Sequence, residues 1–182
     1  IVKEAYRKIY KNIGLKTIVA EASGGAFTSE YTHEFQVINP AGEDPVYRCD
    51  TCGFAMNKEV YDITRHTGCA GEVKEARAIE VGNIFKLGTR FSQAFGLQFA
   101  DETGAKHPVV MGSYGIGPTR IIGALVEEFH DERGIIWPYP VAPFQAHLLV
   151  LGNDAKIRSA AQAAYDRLHT SGCWLLYDDR EG

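Results

Sequence analysis

The stretch that most restricts what this chain can fold into is VVMGSYGIGPTRIIGAL, positions 109–125 of 182, where a glycine-rich turn joins an apolar run to a helical pattern. Gly112, Gly115 and Gly117 remove side chains, so a flat ligand can approach the backbone closely. The helix that follows adds the positive end of its dipole. Two familiar phosphate loops are excluded by residue type. A P-loop ends in Gly-Lys-Ser/Thr, and no lysine lies between Lys106 and Lys156. A dinucleotide fingerprint needs a third small residue at position 120, which is Arg120. Arg120 is therefore expected to project from the first helical turn over the sheet, where a guanidinium can stack on a purine and bond a phosphate.

Around that turn, strands and helices follow without regular alternation. Residues 2–13 read as an amphipathic helix closed by Gly14, and 17–20 and 33–38 as strands. The run NPAGEDP at 39–45 is turn chemistry, and the cysteine cluster occupies 47–72. A short strand is expected at 78–81 and a short helix from Thr89, with Thr89 and Ser92 as caps. A hairpin pairs 97–100 with 107–114, and a helix covers 118–132, stopped by Gly134. This predicts an α+β fold, an antiparallel sheet with flanking helices, over 1–140. After the proline-rich segment 137–143, strand 146–151, helix 156–169 and strand 174–177 make a βαβ unit. A second, truncated α/β domain is thus expected over 144–182. Cys173, in its last strand, reads as a small buried hydrophobe. Both ends of the chain look cut.

With 45% hydrophobic and 23% charged residues the chain is soluble globular material, and a formal charge of −4 advertises no nucleic-acid surface. No run is apolar and long enough to span a membrane, and no signal-peptide pattern is present, so a cytoplasmic protein is expected.

The glycine turn resembles motif 3 of the class II aminoacyl-tRNA synthetases. The form MGSYGIGPTR, followed by DERGIIWP at 131–138 and VAPFQAH at 141–147, is similar to the bacterial-type prolyl-tRNA synthetase family. Further blocks in the same order carry the likeness: AYRKIYKNIGL, SGGAFTSEYTHEFQV, AIEVGNIFKLGTRFSQAFGLQF, DETG with HPVVMGSYGIG, and LLYDDREG. The resemblance implies the C-terminal part of the class II catalytic fold, followed by the start of an anticodon-binding domain. It implies proline–tRNA ligation: ATP with Mg2+ and L-proline give prolyl-adenylate, and the prolyl group passes to tRNA(Pro), in a homodimer.

It also implies roles for particular positions. Arg120 packs against adenine and reaches the γ-phosphate, with Gly115 and Gly117 in the same ATP site. Glu80, Gly82 and Asn83 lie against the ribose and the proline pocket, and Phe85 forms pocket wall. Glu34 pairs with the secondary ammonium of proline, with His33 orienting it or forming wall, and Ser113 donates to the proline carboxylate. Motif 1 and the motif 2 arginine that holds the α-phosphate have no counterpart in these residues. An incomplete chain, inactive alone, is therefore expected; a non-catalytic synthetase-like binding module is the alternative.

In Cys49-x-x-Cys52 and His66-x-x-Cys69, two ligand pairs flank thirteen residues, a spacing that suits a tetrahedral structural zinc. A redox role for the first pair lacks the surrounding thioredoxin-like βαβ pattern. Members of the resembled family often carry a large editing insertion after this stretch. Here Glu80 follows within about twenty residues, so the editing domain is expected to be absent and misacylated alanine left uncleared.

Overall fold

The computed structural model describes residues 1–152 and 154–180; Asn153, and the Glu181 and Gly182 that end the expected second domain, lie outside the described residues. The chain divides into two compact units, Ile1–Ile136 and Trp137–Gly182.

The first unit opens with helix α1 (Val2–Asn12), whose Tyr6 and Tyr10, one turn apart, are its buried face. Gly14, at φ 88°, turns the chain out of it. Strands β1 (Ile18–Ala22) and β2 (Thr32–Ile38) form an antiparallel pair. Strands β3 (Asp44–Arg48) and β4 (Ala55–Asn57) form a second pair inside the segment read as turn and cysteine cluster. Strand β5 (Lys74–Gly88) is far longer than the expected 78–81 and pairs with three strands of the main sheet. Its Ala78 pairs with Ile38 on one edge and Asp44 on the other; its Asn83 pairs with Glu34 and with Gly115 of β8 (Met111–Ile116). Thus β3 and β8 occupy successive stretches of one β5 edge, while β2 takes the other.

The pairings β2–β1–β4–β3–β5 return to β2 and close a ring, whose β1–β4 seam is a single parallel pair, Glu21 with Met56. Alanines Ala20, Ala55 and Ala78 with Val46 fill the ring, and Ile18, Ile38 and Ala76 pack against them. Small side chains are what so tight a ring accommodates. On its outer face Tyr6, Tyr10 and Phe35 form an aromatic cluster with centroids 5.2–6.2 Å apart.

Helix α2 (Arg90–Ala94) lacks the expected side-chain cap from Thr89; Ser92 Oγ instead donates 3.0 Å back to the Thr89 carbonyl. The hairpin of β6 (Gln98–Ala100) and β7 (Lys106–Pro108) turns on Asp101, whose Oδ1 accepts from the amides of Thr103 and Ala105. Its pairing stops at Pro108, and β8 leaves to join β5. Helix α3 (Pro118–Glu128) ends four residues before the expected stop at 132. Strands β9 (His130–Asp131) and β10 (Gly134–Ile135) follow as a hairpin, where Asp131 Oδ1 accepts from the amides of Arg133 and Gly134. Gly134 therefore serves that turn and not a helix end.

In the second unit, β11 (Ala146–Leu149) and β12 (Leu175–Asp178) pair in parallel through helix α4 (Ala155–Thr170), a βαβ crossover. Asp154 caps α4 by accepting 2.7 Å from the Lys156 amide. Cys173 is half-buried. Among the described residues no helix is long and apolar enough to cross a membrane.

Candidate active site

The site is built on β5. Glu34, Asn83 and Gly115 lie abreast across β2, β5 and β8, and Phe85 sits opposite Ser113 one step further along the same face. A register shift at Val81, which has no partner while Gly82 faces Phe35 and Glu80 faces Gln36, bends β5 at this place. The bend brings Glu80 to Asn83, whose Nδ2 donates 2.9 Å to Glu80 Oε1.

Arg120 leaves the first turn of α3, and its Nη1 lies 3.5 Å from Glu80 Oε2 and 3.4 Å from the Glu80 carbonyl. Gly117 caps α3 with no side-chain bond; its own amide donates 3.4 Å to the Val81 carbonyl and Pro118 has none, which leaves the Thr119 and Arg120 amides for a ligand. A cavity of about 270 Å³ is lined by Val81 and Ile116 together with Glu80, Gly82, Asn83, Gly115, Gly117 and Arg120, the six positions that the family resemblance assigns to ATP. A second cavity of about 230 Å³ shares Glu80 and Arg120 and runs toward Asp44 and Glu127.

The glycines have separate reasons. A Cβ on Gly115 would lie 2.7 Å from Asn83 Oδ1, and one on Gly112 would lie 2.4 Å from the Tyr114 hydroxyl. A Cβ on Gly82 would meet the Tyr10 hydroxyl at 2.3 Å, so that glycine answers to α1 on the other face. Gly117 alone of these meets nothing closer than Arg120 Cβ at 3.4 Å and leaves its space open.

Glu34 stands in a polar network at the mouth of the ring. Gln36 Nε2 donates 2.9 Å to Glu34 Oε2 and 3.2 Å to Asp44 Oδ2, while Asn57 Nδ2 donates 3.3 Å to Glu34 Oε2. Burial, and then the charge on Glu80, push the Glu34 carboxyl up to about 7 despite the bonds from Gln36 and Asn57. His33 is not brought beside it. It pairs with Glu21 and Ile84 on the opposite face and lines a cavity of about 220 Å³ with Lys3, Glu21 and Arg65. Burial, then Lys3 and Lys86, lower its pKa. Phe85 packs on Phe27 at 5.3 Å between ring centroids. Gln36, Asp44 and Asn57 are absent from the sequence-derived set. For Gln36 the signal was there, since the two-residue period of HEFQVI puts it on the Glu34 face.

Away from this face, Cys49, Cys52, His66 and Cys69 converge with their ligand atoms all within 4.8 Å of one another. Cys49 Sγ and Cys69 Sγ are 3.9 Å apart, and Cys52 Sγ and His66 Nε2 are 3.4 Å apart. Zinc–sulfur bonds of about 2.3 Å in tetrahedral geometry put two sulfurs roughly 3.8 Å apart, so the donor set fits. Gly53, at φ 76°, makes the knuckle turn, and the Gly71 amide donates 3.2 Å to Cys69 Sγ. The Cys52 amide is the first of several groups that lower the Cys49 thiol to about 6. Phe54 lies against the His66 ring at 5.1 Å.

The model of the "tRNA synthetase class II core domain (G, H, P, S and T)" matches residues 2–129. A proline–tRNA ligase of Agrobacterium fabrum is 34% identical over 97% of this chain and 47% of its own length. One of Methylobacterium radiotolerans is 36% identical over 97% of the chain and 47% of its own length. One of Bacillus pumilus is 37% identical over 98% of the chain and 30% of its own length. The chain therefore spans about half or less of the relatives it matches. A prolyl-tRNA synthetase of Cryptosporidium parvum, solved with L-proline and AMP, shares the fold over 98% of this chain and 31% of that one, at a TM-score of 0.70 and 20% identity.

Proposed function

Because the chain belongs to the class II tRNA synthetase core family (G, H, P, S and T), we propose that it supplies the nucleotide and proline subsites of a cytoplasmic proline–tRNA ligase. The carrying observation is the convergence of Glu80, Gly82, Asn83, Gly115, Gly117 and Arg120 on one cavity beside the Glu34 carboxylate. ATP, with Mg2+ as part of the substrate, sits over β5 and β8. Arg120 leaves Glu80, stacks on the purine and neutralises phosphate charge, helped by the open amides at the start of α3. Glu34, ionised, pairs with the secondary ammonium of L-proline, whose carboxylate attacks the α-phosphorus as pyrophosphate leaves. Ser113 and Phe85 bound the proline side, and His33 acts from the outer face as support for β2.

The chain spans about half of the relatives' length, so the full reaction, the transfer to tRNA(Pro) and the homodimer belong to this reading together with the remaining half. The first unit is then the later part of the catalytic domain, and the βαβ of the second unit the start of an anticodon-binding domain. The cysteine–histidine cluster holds a structural zinc, which stands in for a hydrophobic core that so small an insert cannot build. The test is proline-dependent exchange of pyrophosphate into ATP, measured on this chain joined to an upstream segment with the motif 2 arginine. Exchange specific for proline supports the reading; no exchange, with intact folding, overturns it in favour of a non-catalytic module.

A further inference from the structure

The segment after β4 has no core of its own: from Asn57 to Val73 no residue is buried. Its place is set by a few polar and ring contacts. Arg65 Nη1 lies 2.5 Å from Glu21 Oε2 on β1, and the Arg65 guanidinium lies 4.6 Å over the Tyr31 ring. Glu59 Oε1 accepts 2.9 Å from the Ser23 amide just after β1, and Tyr61 stacks on Tyr47 of β3. These ties matter because β1 and β4 meet at only one residue pair, Glu21 with Met56, next to Asn57 and its bond to Glu34.

The four metal-ligand side chains divide across this seam. Cys49 and Cys52 belong to the β3–β4 turn, where the Cys49 amide donates 2.9 Å to the Phe54 carbonyl. His66 and Cys69 belong to the return segment, and His66 directly follows the Arg65 that grips β1. A metal held by all four therefore ties the β3–β4 hairpin to β1 by a second route, through His66 and Arg65.

We propose that zinc bound by Cys49, Cys52, His66 and Cys69 is the clasp that closes the ring at the β1–β4 seam, and that Asn57, held by that closure, is a positioning residue for the Glu34 carboxylate. The role given to Glu34 rests on the proline reading above; the clasp itself does not. The metal contributes shape only. Its thiolate-rich, closed donor set has no open position for substrate.

The test uses this chain as it stands. Metal analysis should find about one zinc per chain, and cobalt substitution should give the intense visible absorption of a tetrahedral thiolate site. Cys69→Ser should lose both. Absence of stoichiometric metal overturns the proposal. Hydrogen exchange with and without chelator should show lost protection in β4 and along β1, while β8 and α3 keep theirs. Loss confined to residues 49–71 overturns the clasp. Asn57→Ala should keep its zinc yet raise the titration midpoint of the Glu34 carboxyl, read by NMR, and Asn57→Gln should restore it in part. An unmoved midpoint overturns the role of Asn57. None of these readouts requires proline activation, so the ligase reading can fail while the clasp stands, and the reverse.

Discussion

The hydroxyl of Tyr10 donates 2.8 Å to the carbonyl of Val81, the residue that the irregularity in β5 leaves without a strand partner. The Val81 carbonyl thus takes a helix side chain beside the Gly117 amide, which donates to it at 3.4 Å, and the same bend carries Glu80 toward Arg120. The packing is close enough that only glycine fits at position 82 beneath that hydroxyl. Tyr10→Phe should cost about 0.5–1.5 kcal/mol, the net worth of one hydrogen bond, because the Gly117 amide stays on the same acceptor. Gly82→Ala should cost more, and the double variant less than the sum. Denaturant melts of the four proteins check this as a double-mutant cycle.

Glu34 should make stability fall with rising pH. Its carboxyl titrates at about 7 in the folded chain against 4.5 ordinarily, with Glu80 and Asp44 as the acidic groups facing it. The folded state holds that proton more tightly, so the stabilisation is complete below the unfolded value and is lost as pH climbs through the folded one. The loss is on the order of 2 kcal/mol once the group's remaining contact with water is allowed for. Glu34→Gln should flatten that part of the profile, which urea melts on either side of the window can read. Proline binding that needs the ionised carboxylate should strengthen over the same window.

Arg120 is half exposed, with 56% of its side chain open to solvent, so Arg120→Ala should leave stability within about 0.5 kcal/mol. Pyrophosphate exchange in the completed protein should drop by about 10²–10³-fold, the scale for removing one aligned charge donor. Lysine at 120 should restore only part of this, because an ammonium has no planar face for the purine. Exchange kinetics beside a thermal melt separate the two effects.

Gly112→Ala and Gly115→Ala look alike in sequence and should behave differently. The new methyl at 112 meets the exposed Tyr114 ring, which can swing aside, so the change should lie within about 0.5 kcal/mol. The methyl at 115 meets the Asn83 amide, which is bonded to Glu80. It should displace that amide and weaken nucleotide binding, with isothermal titration of ATP as the readout.

The strand-turn-helix around Gly115, Gly117 and Arg120 was legible because its residues are strong local punctuation, and the pairwise spacing of Cys49, Cys52, His66 and Cys69 survived into space. Strand β3 was hidden because Asp44 and Pro45 read as turn, although Pro45 sits within the strand opposite Arg77. The length of β5 was hidden by the irregularity at Val81, which breaks its alternation midway. The early end of α3 was masked by Phe129, which continues the helical spacing while Asp131 starts a turn. His33 and Glu34 show the limit of adjacency: neighbours on a strand face opposite ways, so the likeness that names both cannot seat both in one pocket. The reason for Gly82 lay 72 residues away, in Tyr10, beyond the reach of any local pattern.

The chain leaves the ring at Asn57, the last residue of β4, and re-enters at Lys74, the first of β5, with only β3 between those strands. Two strand spacings separate exit from entry, roughly 10 Å sideways. Lengthening a loop across such a gap costs only about 0.6 kcal/mol for each doubling. The opening therefore tolerates connections of very different length, provided that whatever spans it still ties the end of β4 to β1.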